Sequence, residues 1–192
     1  MTKDLTNLKI LTPRLLLRPL EMQDFEAWAT FMADPEATRF LGGAQPRSLA
    51  WRGFMTVAGA WHMQGFAMFS VIERLTQRWV GRLGPWMPDS WPGTEVGWGI
   101  IRDCWGRGYA VEGATAAIDL AFDELGWSEV IHAIDPRNAA SQAVARKLGS
   151  ELKGLGHLPD LPAPIDTSVE IWGQSRTAWR ARRTALNVAK HA

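Results

Sequence analysis

The segment Trp105-Gly106-Arg107-Gly108-Tyr109-Ala110-Val111-Glu112 lies between an extended stretch and a helical one. Two glycines around one basic residue strip side chains from a turn that opens a helix. The first amides of a helix have no intrahelical acceptor, and the helix dipole adds partial positive charge there, so this turn is suited to phosphate or pyrophosphate. A Walker loop would need Gly-x-x-x-x-Gly-Lys-Ser/Thr, which the chain lacks. A dinucleotide fingerprint would need a third glycine where Val111 stands. It also belongs near the start of a parallel βαβ unit, whereas about half of this chain precedes the loop. The remaining phosphate ligand is coenzyme A.

Other chemistries find less support. His62, His132 and His157 are scattered without metal-ligand spacing, and His191 is in the tail. No metal site is expected. The one cysteine, Cys104, excludes an internal disulfide and a cysteine-based zinc site, and it has no evident His–Asp partnership that would make it a nucleophile. Lys and Arg total 21 against 20 Asp and Glu, so no strong field steers the chain toward nucleic acid. The concentrated charge at Arg176, Arg180, Arg182, Arg183 and Lys190 reads as a solvated basic helix. No signal core opens the chain and no apolar run approaches the ~20 residues of a membrane helix, so the expectation is a cytoplasmic protein without membrane or nucleic-acid partners. Eleven tryptophans against one tyrosine imply a large aromatic core, an aromatic-walled cleft, or both.

These residues must be positioned by the rest of the chain. At 192 residues a single domain is expected over 1–192, with a core of about 8–182 and a basic helix beyond. Leu15 and Leu17 alternate within Leu11–Leu20, as in a strand. Asp24 is expected to cap a helix through Phe25, Trp28, Phe31 and Met32 that ends at Asp34-Pro35. A second helix runs from Ser48 to His62. Phe66–Glu73 and Arg78–Leu83 read as a hairpin, and Gly84–Gly93, with three prolines, as a structured loop. Thr94–Ile101 resumes a strand, in which Gly97 and Gly99 signal a bulge or a close approach by a ligand or another backbone. Tyr109–Leu125 is helical with Gly126 as its C-cap, and Ser128–Ile134 is a strand. Asn138 caps a helix that Gly149 ends. Glu151–Leu155 and Thr167–Gly173 form a closing strand pair around a loop at His157–Pro164, and Thr177–Ala189 is the last helix. This order predicts an α+β domain with a mixed sheet.

Gly106-x-Gly108-Tyr109-Ala110-x-Glu112, preceded by Glu95-Val96-Gly97-Trp98, resembles the acetyl-CoA motif of the GNAT N-acetyltransferases. Asn138-Ala139-Ala140-Ser141, continuing to Lys147-Leu148-Gly149, resembles that family's second motif. Thr12-Pro13-Arg14-Leu15-Leu16-Leu17-Arg18 and Val169-Glu170-Ile171-Trp172-Gly173 with Trp179 resemble its RimJ/RimL-like branch, which includes acetyltransferases of ribosomal-protein N-termini. The resemblance covers roughly residues 8–182, and three ordered segments are a far more specific signal than one Gly-x-Gly.

The resemblance implies a mostly antiparallel, twisted mixed sheet flanked by helices, and acetyl-CoA as co-substrate. Backbone at Ile100 and Ile101 would pair with the pantetheine arm. Trp105, Gly106, Arg107, Gly108, Tyr109 and Ala110 would surround the pyrophosphate. Trp105 stands where the family's commonest motif has Gln or Arg. Acetyl transfer to an amine needs a base, an oxyanion donor and a stabiliser for the thiolate. Glu95 is the candidate base, its pKa raised by partial burial; the structural alternative is a carboxylate paired with an arginine such as Arg82. Ala145 replaces the tyrosine acid of many relatives, leaving Ser141 as the candidate acid, or else a serine bonded to its own backbone. Asn138 would cap its helix and touch pantetheine. Trp86, Trp91 and Trp98 would flank the acceptor, a protein N-terminal or small-molecule primary amine. Exposed tryptophans would offer a surface for a homodimer. A non-catalytic acyl-CoA-binding or regulatory module is the alternative on the same fold.

Overall fold

The computed structural model describes residue 5 and residues 7–159 and 167–191, with side chains as far as residue 183. The described strands are β1 Ile10–Leu11, β2 Leu15–Arg18, β3 Phe69–Glu73, β4 Trp79–Trp86, β5 Glu95–Ile100, β6 Glu129–Ile134, β7 Glu151–His157 and β8 Ser168–Ser175. The helices are α1 Phe25–Ala33, α2 Pro35–Thr38, α3 Arg47–Met63, α4 Tyr109–Asp123, α5 Ala139–Leu148 and α6 Arg176–His191. All the strands join one sheet in the order β1-β2-β3-β4-β5-β6-β8-β7. Every neighbouring pair is antiparallel except β5 and β6, which α4 links as a parallel crossover. The sheet is therefore mixed, as the order of elements predicts, and mostly antiparallel, as the resemblance implies.

Helices cover both faces. Phe31 of α1 and Leu41 lie where a Cβ on Gly99 would stand, at 3.0 and 3.6 Å. On the opposite face α4 presses so close that a Cβ on Gly113 would run into Leu83. The core under α1 and α3 is aromatic: Trp28 meets Phe54 edge-on at 5.6 Å and Trp79 at 6.5 Å, and Phe31 lies 5.9 Å from Trp79. Six of the eleven tryptophans are buried, so most of them build core rather than cleft. Two buried indoles end on carbonyls, Trp28 on Ala50 and Trp61 on Met68, which satisfies the polar handle each ring brings inside.

Several expectations change. Asp24 does not cap α1 with its side chain. It takes a bidentate ion pair from buried Arg18 at 2.7 and 2.7 Å and a hydroxyl from Ser70, because a buried guanidinium outcompetes exposed amides for a carboxylate. Thr12-Pro13-Arg14 is not strand but the turn between β1 and β2, closed by the Thr12 N–H on the Leu15 carbonyl at 2.9 Å. Gly84, Pro85 and Trp86 belong to β4 rather than to a loop. Pro85 is tolerated because Val96, opposite it, points its carbonyl away toward β6, so the proline nitrogen faces the side where β3 has already ended at Phe69↔Leu83. The pairing of β5 with β4 runs without a bulge, and no ligand is needed to explain Gly97 and Gly99. A Cβ on Gly97 would meet Met68 Cε at 2.9 Å, so the glycines admit core side chains. α4 ends at Asp123, with Glu124 as its C-cap, and Gly126 takes its left-handed φ of 72° two residues beyond that cap. His157 closes β7, while the expected loop at 160–164 lies outside the described residues.

Among the described residues, the basic C-terminal helix keeps Arg180 and Arg182 exposed, as expected, but is also anchored through buried Trp179. Arg183 and the Trp179 indole both reach Asp119 of α4, at 2.9 and 2.7 Å, and Arg182 donates to the Lys147 carbonyl at 2.7 Å. Arg180 pairs with Asp123 at 3.2 Å. Among the described residues no helix is long and apolar enough to cross a membrane, and no cluster of potential ligands could hold a metal ion.

Candidate active site

The parallel pair β5 and β6 touches at one register position only, Glu95↔Ile131, supported by the Ile131 N–H on the Thr94 carbonyl at 2.9 Å. Beyond it the strands separate, and side chains take over the ladder. The Val96 carbonyl accepts from His132 Nδ1 at 2.7 Å, and the Ala133 N–H donates to Glu95 Oε1 at 3.3 Å. Burial drives the His132 pKa down to about 4, against the pull of the Val96 carbonyl, so the ring is neutral and Nε2 accepts from the Ser150 hydroxyl at 2.9 Å. His132 thus props the opening apart. The sequence assigned it only a structural or surface place, because its partners are remote in the chain.

Alternation fixes which backbone groups face the opening. The Ile101 N–H donates to the Val80 carbonyl of β4 at 3.0 Å, so Gly99 and Gly97 also face β4, while Ile100, Trp98 and Val96 face β6. This corrects one expectation: both backbone groups of Ile101 are used, the carbonyl by the Cys104 N–H at 3.0 Å, and it has nothing left to offer an extended ligand. The Ile100 carbonyl accepts from the Trp105 indole at 2.7 Å, which gives Trp105 a structural task.

The loop that follows is built by two left-handed glycines, Gly106 at φ 73° and Gly108 at φ 81°. A Cβ on Gly106 would meet nothing within 4 Å, and one on Gly108 would meet only Arg14 Nη2 at 3.5 Å. The glycines are required by dihedral angle, and open space stands above them. Gly108 is the N-cap of α4 and has no side chain to cap it, so the amides before the first helical bond, Glu112 N–H to the Gly108 carbonyl at 3.0 Å, are uncovered. The residues that hold this loop come from the turn between β1 and β2. Glu112 accepts from the Thr12 hydroxyl at 2.6 Å, the Arg14 N–H at 2.8 Å and Arg14 Nε at 2.6 Å. Arg14 Nη1 then reaches the Arg107 carbonyl at 2.8 Å, and its guanidinium lies 4.7 Å over the Tyr109 ring, whose hydroxyl donates to Glu73. Burial alone would push Glu112 up, but these donors outweigh it and hold the carboxyl below its ordinary range. Arg107 therefore contributes its carbonyl to the loop, and Tyr109 packs beneath it.

Glu95 and Ser141 flank the opening from opposite sheet faces. Glu95 shares its face with Gly97, Gly99 and, across β4, Trp86 and Arg82. It is 7% exposed, and burial pushes its pKa up to about 7, against the pull of the Trp91 indole at 2.5 Å, the Ala133 N–H and the Arg82 charge. Arg82 makes no direct ion pair with it among the described residues. Ser141 lies on the other side, where its hydroxyl accepts from the Trp98 indole at 3.3 Å, and Asn138 caps α5 by accepting the Ser141 N–H at 3.1 Å. Of the three tryptophans expected around the acceptor, Trp86 and Trp91 border Glu95. Trp98 does not: it stacks on His132 at 4.8 Å and joins Ser141.

The match to known proteins follows this geometry. A family model described as an acetyltransferase (GNAT) domain covers residues 14–151. An uncharacterized N-acetyltransferase, p20 of Bacillus licheniformis, is 28% identical over 147 residues, 75% of this chain and 83% of its own. The FsC-acetyl coenzyme A-N(2)-transacetylase of Aspergillus fumigatus is 45% identical over 88 residues, 45% of this chain and 37% of its own. Among solved structures, the acetyltransferase from Agrobacterium tumefaciens str. C58 superposes with a TM-score of 0.75 at 30% identity, covering 88% of this chain and 94% of that one.

Proposed function

The chain belongs to the GNAT acetyltransferase family, and on that premise we propose that it moves the acetyl group of acetyl-CoA directly onto a primary amine, either a protein N-terminus or a small molecule. The observation that carries this reading is the opening between β5 and β6, with uncovered loop amides at one end and a buried carboxylate at the other. Acetyl-CoA supplies an activated thioester. The amides from Gly106 to Ala110 would hold its pyrophosphate over the two glycines, and the Trp98 and Ile100 edge of β5 would pair with the pantetheine arm. Asn138 would touch that arm from the start of α5.

An ammonium acceptor gives a proton to ionised Glu95, and the freed amine attacks the thioester carbonyl. The N–C bond forms, the oxyanion rests on a β5 amide, and the C–S bond breaks; the second proton on the attacking nitrogen passes to the departing sulfur, which leaves a neutral amide and free thiol. Ser141 would donate a hydrogen bond to that sulfur. A carboxyl near pKa 7 suits the first step, because it is ionised often enough to act and basic enough to accept. Trp86 and Trp91 would border the amine, which must share Glu95 Oε2 with the Trp91 indole or displace it. The Thr12–Arg18 and Val169–Gly173 segments support a place near the RimJ/RimL-like branch, and one catalytic domain with a core of about 8–182 accords with a single sheet.

The test is release of free thiol from acetyl-CoA against a panel of amines, run on the full chain. Turnover with at least one amine is expected. Tight acetyl-CoA binding without thiol release from any amine would leave an acyl-CoA-binding module instead.

A further inference from the structure

The acceptor face holds a cation that no carboxylate pairs directly among the described residues. Arg82 sits on β4 opposite Gly99, on the face it shares with Glu95. Its guanidinium lies 5.2 Å over the Trp28 ring, and among the described residues Nη1 meets only the thioether of Met68, at 2.9 Å. Nε is buried and has no hydrogen-bond partner among the described residues. Burial lowers the Arg82 pKa to about 10, against the attraction of Glu95. The protein satisfies its other inward arginine fully: Arg18 takes both Asp24 oxygens, at 2.7 and 2.7 Å. Buried guanidinium groups in folded proteins are paired, and a thioether is a weak acceptor for one.

We infer that Arg82 binds a carboxylate carried by the acceptor, so that the acceptor is a small amino-acid-like amine. This rests on the proposed acetyl transfer. A guanidinium presents a planar fork that matches a carboxylate, and with Nε buried a ligand approaches that fork from the Nη side. Part of the Arg82 side chain still reaches solvent, which leaves a ligand a way in. Glu95 on the same face complements the opposite end of such a molecule. A zwitterion lies with its carboxylate on Arg82 and its ammonium at Glu95, and each protein charge gains the partner it lacks. A peptide N-terminus would bring the ammonium alone and leave Arg82 unmet.

The experiment compares free amino acids with their carboxamides, which keep the amine and side chain and lose only the charge. Acetyl-CoA and the full chain are used throughout. For the best acid, kcat/KM should exceed that of its amide at least tenfold. In Arg82→Met the ratio should fall to about one, with the loss carried by KM for the acid, and Arg82→Lys should restore part of it. Unchanged acetyl-CoA affinity shows that each variant is folded, and the wild-type ratio alone tests the idea if one is not. Amides or peptide N-termini acetylated as well as the acids would overturn the inference. So would an Arg82→Met variant that slows acid and amide alike and only moves the acid limb of the pH profile, since Arg82 would then act only on Glu95. No turnover of either class, with acetyl-CoA still bound, would overturn the proposed function itself.

Discussion

The glycine loop and the Glu95 face stand at opposite ends of one strand, Glu95–Ile100, and they are stabilised by different means. The loop is held by satisfied polar contacts: Thr12, Arg14 and Glu112 form a connected set, and Arg14 carries it to the Arg107 carbonyl. The Glu95 face is held by apolar burial under Trp28, Phe31 and Met68, with a desolvated carboxylate bonded to Trp91 and Ala133 and a guanidinium whose Nε has no partner among the described residues. A satisfied network fixes geometry and leaves charge quiet. A desolvated carboxylate and an unsatisfied guanidinium store electrostatic free energy that a ligand can release. The donor end is thus preorganised for a constant ligand, and the acceptor end is tuned for proton transfer and charge recognition.

Damage to the two ends should separate cleanly. The largest effect is expected for Gly108→Val, because a β-branched residue at φ 81° is strained by about 1–2 kcal/mol or more and its side chain enters the space above the loop. Acetyl-CoA affinity measured by calorimetry should fall at least hundredfold. Glu95→Gln should lower kcat by roughly a hundredfold, the usual scale of general-base loss, and leave acetyl-CoA affinity intact. The same variant tests the electrostatics through folding. Burial raises Glu95 from 4.5 to about 7, so the folded state disfavours its ionised form. The Glu95 contribution to wild-type stability should therefore decline as pH rises from 4.5 through 7, while that of His132, lowered from 6.5 to about 4, rises between those values, so the difference between wild type and variant isolates Glu95. Relative to wild type, Glu95→Gln should gain up to roughly 3 kcal/mol in denaturant titrations at pH 8 compared with pH 4. Arg14→Met should weaken acetyl-CoA binding about tenfold, because the loop loses its tie to β2 while the glycine angles persist. Ser141→Ala should lower kcat less than tenfold, since its hydroxyl already bonds the Trp98 indole.

The same contrast explains what the sequence discloses. Gly106, Gly108, Asn138 and Gly149 are legible because their backbone geometry demands particular residue types, left-handed angles for the glycines and a short acceptor for the cap. The Arg14–Glu112 network joins residues 98 apart in the chain; each stands in a motif, but nothing local marks them as partners. Asp24 read as a helix cap because the residue type fits that role, and only the fold brings Arg18 and Ser70 against it. Trp98 looked like a partner of Trp86 and Trp91 until the pleat turned it to the other face. The unpartnered state of Arg82 is invisible to sequence altogether, because it is a property of what surrounds the side chain.

The central claim is that Glu95 takes the proton at the acceptor end without helping to hold the donor. It is tested most directly by the pH dependence of kcat/KM for the amine in wild type and Glu95→Gln, with acetyl-CoA affinity measured alongside. An acid limb with an apparent pKa near 7 is expected in wild type and should vanish in the variant, at equal acetyl-CoA affinity. A variant that keeps both the limb and the rate, or that loses acetyl-CoA binding together with activity, would contradict it.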